Sequence, residues 1–113
     1  MKYEILDCDI CVLLPTPDRL TAATGAAFKD QAVKLIEAGH TRLIVDMTAI
    51  TFIDSSGLGA LVGVLKRVGN RGEIVVCGLS SSLKQMFAIT RMDRVFAGYL
   101  DRSAAINALK EGL

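Results

Sequence analysis

The chain has 113 residues, 51% hydrophobic and 22% charged, with 13 Lys+Arg against 12 Asp+Glu and a formal net charge of +1. That length suits one domain, residues 1–113, and so apolar a composition excludes a disordered chain. Near-neutrality without a dense basic run argues against nucleic acid or an anionic membrane as the main partner. The longest uncharged stretch, Ser55–Leu65, is well short of the ~20 apolar residues of a spanning helix. Lys2, Glu4 and Asp7 charge the N-terminus in a way no signal peptide does, so the expected location is cytoplasmic. One His and no Trp make the chain lean for an enzyme.

In chain order, Lys2–Asp7 and Ile10–Leu14 read as two short strands of a hairpin turning around Cys8–Asp9. Pro15-Thr16-Pro17 stops the second strand, because proline donates nothing to a ladder and restricts its predecessor. Asp18 or Thr21 then offers an N-cap to a helix carrying Phe28, Ala32, Leu35 and Ile36, which ends near Gly39. The apolar run Leu43–Val45 predicts a strand covered on both faces. Thr48–Asp54 leads to a helix over about Ser56–Val68, with Leu58, Leu61, Val62 and Leu65 on one face. Ile74–Cys77 predicts a further buried strand, and Ser80–Ser82 a cap for a short helix with Leu83, Met86 and Phe87. Val95-Phe96 reads as a last strand, and Asp101 or Ser103 begins a final helix facing Ala105, Ile106 and Leu109 inward. The alternation from Arg42 onward predicts an α/β sandwich.

Three chemistries fail on spacing. Gly57, Gly59 and Gly63 resemble a dinucleotide fingerprint, but the third glycine is one position late and Cys77 stands where the ribose-binding acid belongs. Glycines that let the helix pack closely on its sheet explain them better. Ser55 and Ser56 sit at a strand-to-helix turn, yet the only histidine, His40, lies before the Leu43 strand, and an ordinary strand would part them by ~17–20 Å. Asp18, Asp46 and Asp54 make no metal loop; Asp18 and Asp54 read as caps and Asp46 as a strand-end acid. Cys8, Cys11 and Cys77 read as ordinary reduced cysteines. No catalytic set, metal site or cofactor is expected.

One segment remains, Phe52-Ile53-Asp54-Ser55-Ser56-Gly57-Leu58-Gly59. Physically it is a capped helix start, with Asp54 or Ser55 satisfying free N–H groups. Asp54-Ser55-Ser56-Gly57-Leu58-Gly59 also resembles the signature of STAS-domain anti-sigma factor antagonists. Arg42–Met47, Glu73–Leu79, Leu83–Phe87 and Thr90–Phe96 resemble that family's central strand, next strand, third helix and closing strand. Asp18, Thr21 and Ala22 match its first helix start, while Pro15-Thr16-Pro17 replaces the usual lead-in and Arg91 stands where glycine is common.

The resemblance implies a single STAS domain, with a mixed sheet of four to five strands and about four helices. It implies an anti-sigma factor antagonist that does no chemistry itself. The unphosphorylated form binds an anti-sigma serine kinase and frees the sigma factor. Phosphorylation of Ser55, with Ser56 the rival acceptor, ends binding, and a metal-dependent serine phosphatase restores it. The partner face would comprise Asp18, Thr21, Asp54, Ser55, Ser56, Gly57, Leu58 and Gly59 of a monomer or weak dimer. The alternative is a STAS accessory or scaffold subunit without phosphoserine, for example in a lipid-transport complex.

Overall fold

In a computed structural model, which describes residues 1–6 and 8–111, the chain builds a five-stranded sheet ordered β1-β2-β4-β6-β7. Its strands are β1 (Lys2–Ile5), β2 (Cys11–Leu14), β4 (Arg42–Asp46), β6 (Glu73–Cys77) and β7 (Gly98–Tyr99). A separate two-stranded sheet joins β3 (Arg19–Leu20) to β5 (Phe52–Ile53). The helices are α1 (Ala22–Glu37), α2 (Ser55–Val68), α3 (Ser81–Ile89) and α4 (Arg102–Glu111). β1 runs antiparallel to β2 and the other main-sheet neighbours are parallel, giving the mixed α/β sheet and four helices expected. The predicted end of the first strand at Asp7 lies outside the described residues. No helix among them is long and apolar enough to cross a membrane.

Side-chain alternation divides the core between the two faces of the sheet. Leu43, Val45, Ile74 and Val76 meet α1, α2 and α3, while Ile44, Val75 and Cys77 meet Ala105 and Leu109 of α4. Two-sided cover is why these strands read as unbroken apolar runs. Each such side chain contributes about 1.5–3 kcal/mol by burial. Burial also pushes the thiols of Cys11 and Cys77 up to about 11, so both behave as small apolar core groups.

Four expectations are corrected. Thr21, not Asp18, is the N-cap of α1; Asp18 lies upstream, where its carbonyl accepts from Thr51. The most buried line of α2 is Gly57, Ala60, Leu61, Val64 and Val68, with Leu58, Val62 and Leu65 only part-covered. Here α1 crosses so closely that a Cβ on Gly25 would lie 3.3 Å from Ala60 Cβ and 3.5 Å from Gly57 Cα, so the buried stripe begins with the small residues Gly57 and Ala60. Val95-Phe96 is not a strand: Phe96 turns inward against Phe87, ring centroids 6.5 Å apart, and the last strand is Gly98–Tyr99. Of the three fingerprint glycines, Gly57 alone is required by backbone proximity. Its approach is to Leu20 of β3, while Gly59 faces open space and Gly63 the flexible Lys29 side chain.

Candidate functional site

The segment singled out in the sequence begins α2. Asp54 has extended backbone angles, and its carboxylate Oδ1 accepts from the Gly57 N–H at 2.9 Å, making Asp54 the N-cap. Ser55 and Ser56 are therefore the first two helical residues, and both are exposed. A helix start leaves four N–H groups without helical partners. That of Asp54 donates to the Leu20 carbonyl at 3.2 Å and that of Gly57 to Asp54 itself. The N–H groups of Ser55 and Ser56 remain for solvent or an incoming anion, at the positive end of the helix dipole.

Beside this start lies that of α1. The Thr21 N–H donates to Thr24 Oγ1 at 3.0 Å, and the Thr24 hydroxyl donates to the Arg19 carbonyl at 2.7 Å. The short β3–β5 ladder joins the two helix starts: Arg19 opposes Phe52 and Leu20 opposes Ile53. The Thr51 N–H and hydroxyl both donate to the Asp18 carbonyl, at 2.8 and 3.2 Å. Gly57 locks the assembly from beneath. A Cβ there would lie within 2.9 Å of Leu20 Cβ and closer still to its carbonyl group.

Asp18, Thr21 and Asp54–Gly57 are thus brought onto one end of the molecule by β3, β5 and two helix starts. Leu58 is part-covered and contributes mainly to packing, and Gly59 is exposed. Leu20, Thr24 and Thr51 hold the platform, and Arg19 stacks over Phe52; of these only Phe52 stands out in the sequence. Phe52 and Ile53 preceded the signature as plain apolar residues, and a two-residue strand leaves no periodicity to find. His40 lies elsewhere, 3.9 Å from Asp9 at the end of the sheet where β4 begins, so the chain's single histidine does not accompany Ser55. Among the described residues no three His, Cys, Asp or Glu side chains cluster as metal ligands.

A family model described as the STAS domain matches residues 3–105. BtrV of Bordetella bronchiseptica, named as an anti-sigma factor antagonist, is 25% identical over 95 residues, 83% of this chain and 82% of its own length. The anti-sigma-B factor antagonist of Listeria monocytogenes is 39% identical over a shorter stretch, 54 residues, 47% of each protein. An anti-sigma factor antagonist from Mycobacterium paratuberculosis has a similar solved structure, with TM-score 0.86 at 19% identity over 96% of this chain and 92% of that one. The phosphorylated form of the Bacillus cell fate determinant SpoIIAA gives 0.72 at 17% identity, over 95% and 96%. A sulfate transporter family protein from Wolinella succinogenes gives 0.81 at 13%, over 96% and 90%. At such identities the structural likeness speaks for the fold.

Proposed function

The chain belongs to the STAS-domain family, and from that membership we propose that it is an anti-sigma factor antagonist in a bacterial partner switch. Unphosphorylated, it binds an anti-sigma serine kinase in the cytoplasm and so frees the sigma factor. The kinase transfers the γ-phosphoryl group of ATP to the Ser55 hydroxyl, and the complex dissociates. A metal-dependent serine phosphatase returns the chain to its binding form. The protein, a monomer or weak dimer, is a substrate and competitor with no catalysis of its own. Relatives named as anti-sigma factor antagonists support this reading.

One observation carries it. Ser55 is exposed at the first position of α2, while the neighbouring Asp54 does the capping. Its hydroxyl can therefore be modified without dismantling the cap. A phosphate there meets unspent N–H groups and the positive dipole end, so the fold tolerates it. The same phosphate adds about −1.5 to −2 charges beside the Asp54 carboxylate, against a chain total of +1. Release then follows from repulsion and bulk on a rigid face, with no refolding. Incubation with the cognate kinase and ATP tests the assignment: Ser56→Ala is phosphorylated and Ser55→Ala is not. Equal phosphorylation of Ser55→Ala and the wild type would sink it.

The likeness to the Wolinella sulfate transporter family protein supports a second reading, a STAS accessory subunit without phosphoserine. That reading predicts stable co-purification with transporter subunits, including those of a lipid-transport complex, and no phosphoryl transfer to Ser55.

A further inference from the structure

Phe52 is one of the few large apolar side chains left on the surface, 43% exposed, and the Arg19 guanidinium carbon lies 5.2 Å from its ring centroid. Register places the two residues opposite each other on β3 and β5. The backbone beneath is held on both sides, by Thr24 on the Arg19 carbonyl and by Thr51 on the Asp18 carbonyl. Among the described residues Arg19 pairs with no carboxylate, whereas Arg67 reaches Glu37 at 3.5 Å and Arg102 reaches Glu4 and Asp46 at 3.2 Å each. A guanidinium stacked on a ring loses little freedom when it binds, and its N–H edge stays open for a two-pronged carboxylate contact.

The pair lies where a partner must land. Phe52 is three residues from Ser55, so their Cα atoms are at most about 10 Å apart. A standard interface of ~800 Å² per partner has a radius of roughly 16 Å. A protein seated on Ser55 with that footprint reaches Phe52 and Arg19. Buried aromatic and Arg side chains are also the types that dominate interface energetics.

Building on the proposed kinase partnership, we infer that the Arg19–Phe52 pair anchors the docking face, and that the kinase presents a carboxylate set in an apolar rim to meet it. The carboxylate takes the Arg19 fork and the rim covers the Phe52 ring. A phosphate on Ser55 repels that carboxylate and competes with it for the guanidinium, which turns added charge into release.

The test uses the full chain and a purified anti-sigma serine kinase from the same genome, with affinity and association rate measured over a salt series. Arg19→Glu and Phe52→Ala are expected to weaken binding by about tenfold or more. Arg19→Lys, which keeps the charge and loses the fork, should fall between them and the wild type. The association rate of Arg19→Glu should lose most of its salt dependence, a change that a purely structural role would not produce. Lys84→Glu, the same charge change on α3, should stay within twofold, and every variant should keep a single cooperative melt well above the assay temperature. Binding of Arg19→Glu and Phe52→Ala within twofold of the wild type overturns the anchor, even when Ser55 is phosphorylated normally. Weakened binding with normal phosphorylation of Ser55→Ala overturns the site assignment and leaves the anchor standing. No binding to any kinase of that class overturns both.

Discussion

The Asp54 carboxylate accepts the Gly57 N–H at 2.9 Å, which sets the first turn of α2 and leaves Ser55 outside the cap it adjoins. The division of labour has a measurable consequence. Asp54→Ala should cost about 1 kcal/mol, whereas Asp54→Asn, which keeps an acceptor, should cost a few tenths at most. Urea titration with an unchanged m value is the check, and equal losses for the two variants would remove the capping role.

Ser55→Asp places a charge at the first helical position, where an acid interacts favourably with the dipole by about 0.3–1 kcal/mol. Stability should therefore hold or rise slightly while affinity for the kinase falls. Thermal melts beside binding isotherms separate the two effects. Loss of the folded baseline in Ser55→Asp would mark Ser55 as a structural residue.

Gly57 and Gly59 are two positions apart on one helix and should respond with opposite signs. A methyl group on Gly57 meets the Leu20 backbone, so Gly57→Ala should destabilise by about 2 kcal/mol and disturb the β3–β5 platform. Gly59 faces open space, and Gly59→Ala should stabilise by about 0.5–1 kcal/mol through helix propensity alone. Chemical denaturation of the two variants reads the difference directly.

Asp46 supplies a pH dependence. Burial by itself would raise its pKa, but the Thr48 N–H and hydroxyl, at 3.1 and 2.6 Å, and the Arg102 guanidinium, at 3.2 Å, together hold it below the ordinary carboxylate value. A carboxylate depressed in the folded state binds its proton more readily in the unfolded chain. Its stabilisation is thus present above the unfolded pKa of about 4 and is lost as pH falls through the folded value. Asp46→Asn should cost about 1–2 kcal/mol at neutral pH and flatten the acid limb of the stability curve. An acid limb identical to that of the wild type would show that Asp46 does not set it.

The long elements were legible because their signals are local. Leu43–Val45 and Ile74–Cys77 are apolar on both faces in the sequence and buried on both in the structure. Ser80 caps α3 through the Leu83 N–H at 3.3 Å, and Asp101 accepts from the Ala104 N–H at 2.9 Å at the start of α4. Phe96 misled because an isolated apolar pair suits a strand and a core-facing turn equally well. Arg91 adopts φ of 64°, a left-handed conformation that its residue type gives no reason to expect.

By itself, then, the sequence determined the α/β class, the central strands, the helices and the serine pair at the start of α2, since each rests on spacing within about ten residues. The small charge balance, which argues against nucleic acid as the main partner, comes from the same source. Tertiary structure alone decided that Arg19 would lie over Phe52, that Thr21 and Asp54 would begin neighbouring helices, and that Gly57 would meet Leu20. Those contacts join positions more than thirty residues apart through two-residue strands, too short to leave a period in the chain. They form because α1 and α2 pack closely enough to bring their starts together, and that closeness comes from small side chains whose partners only the fold supplies.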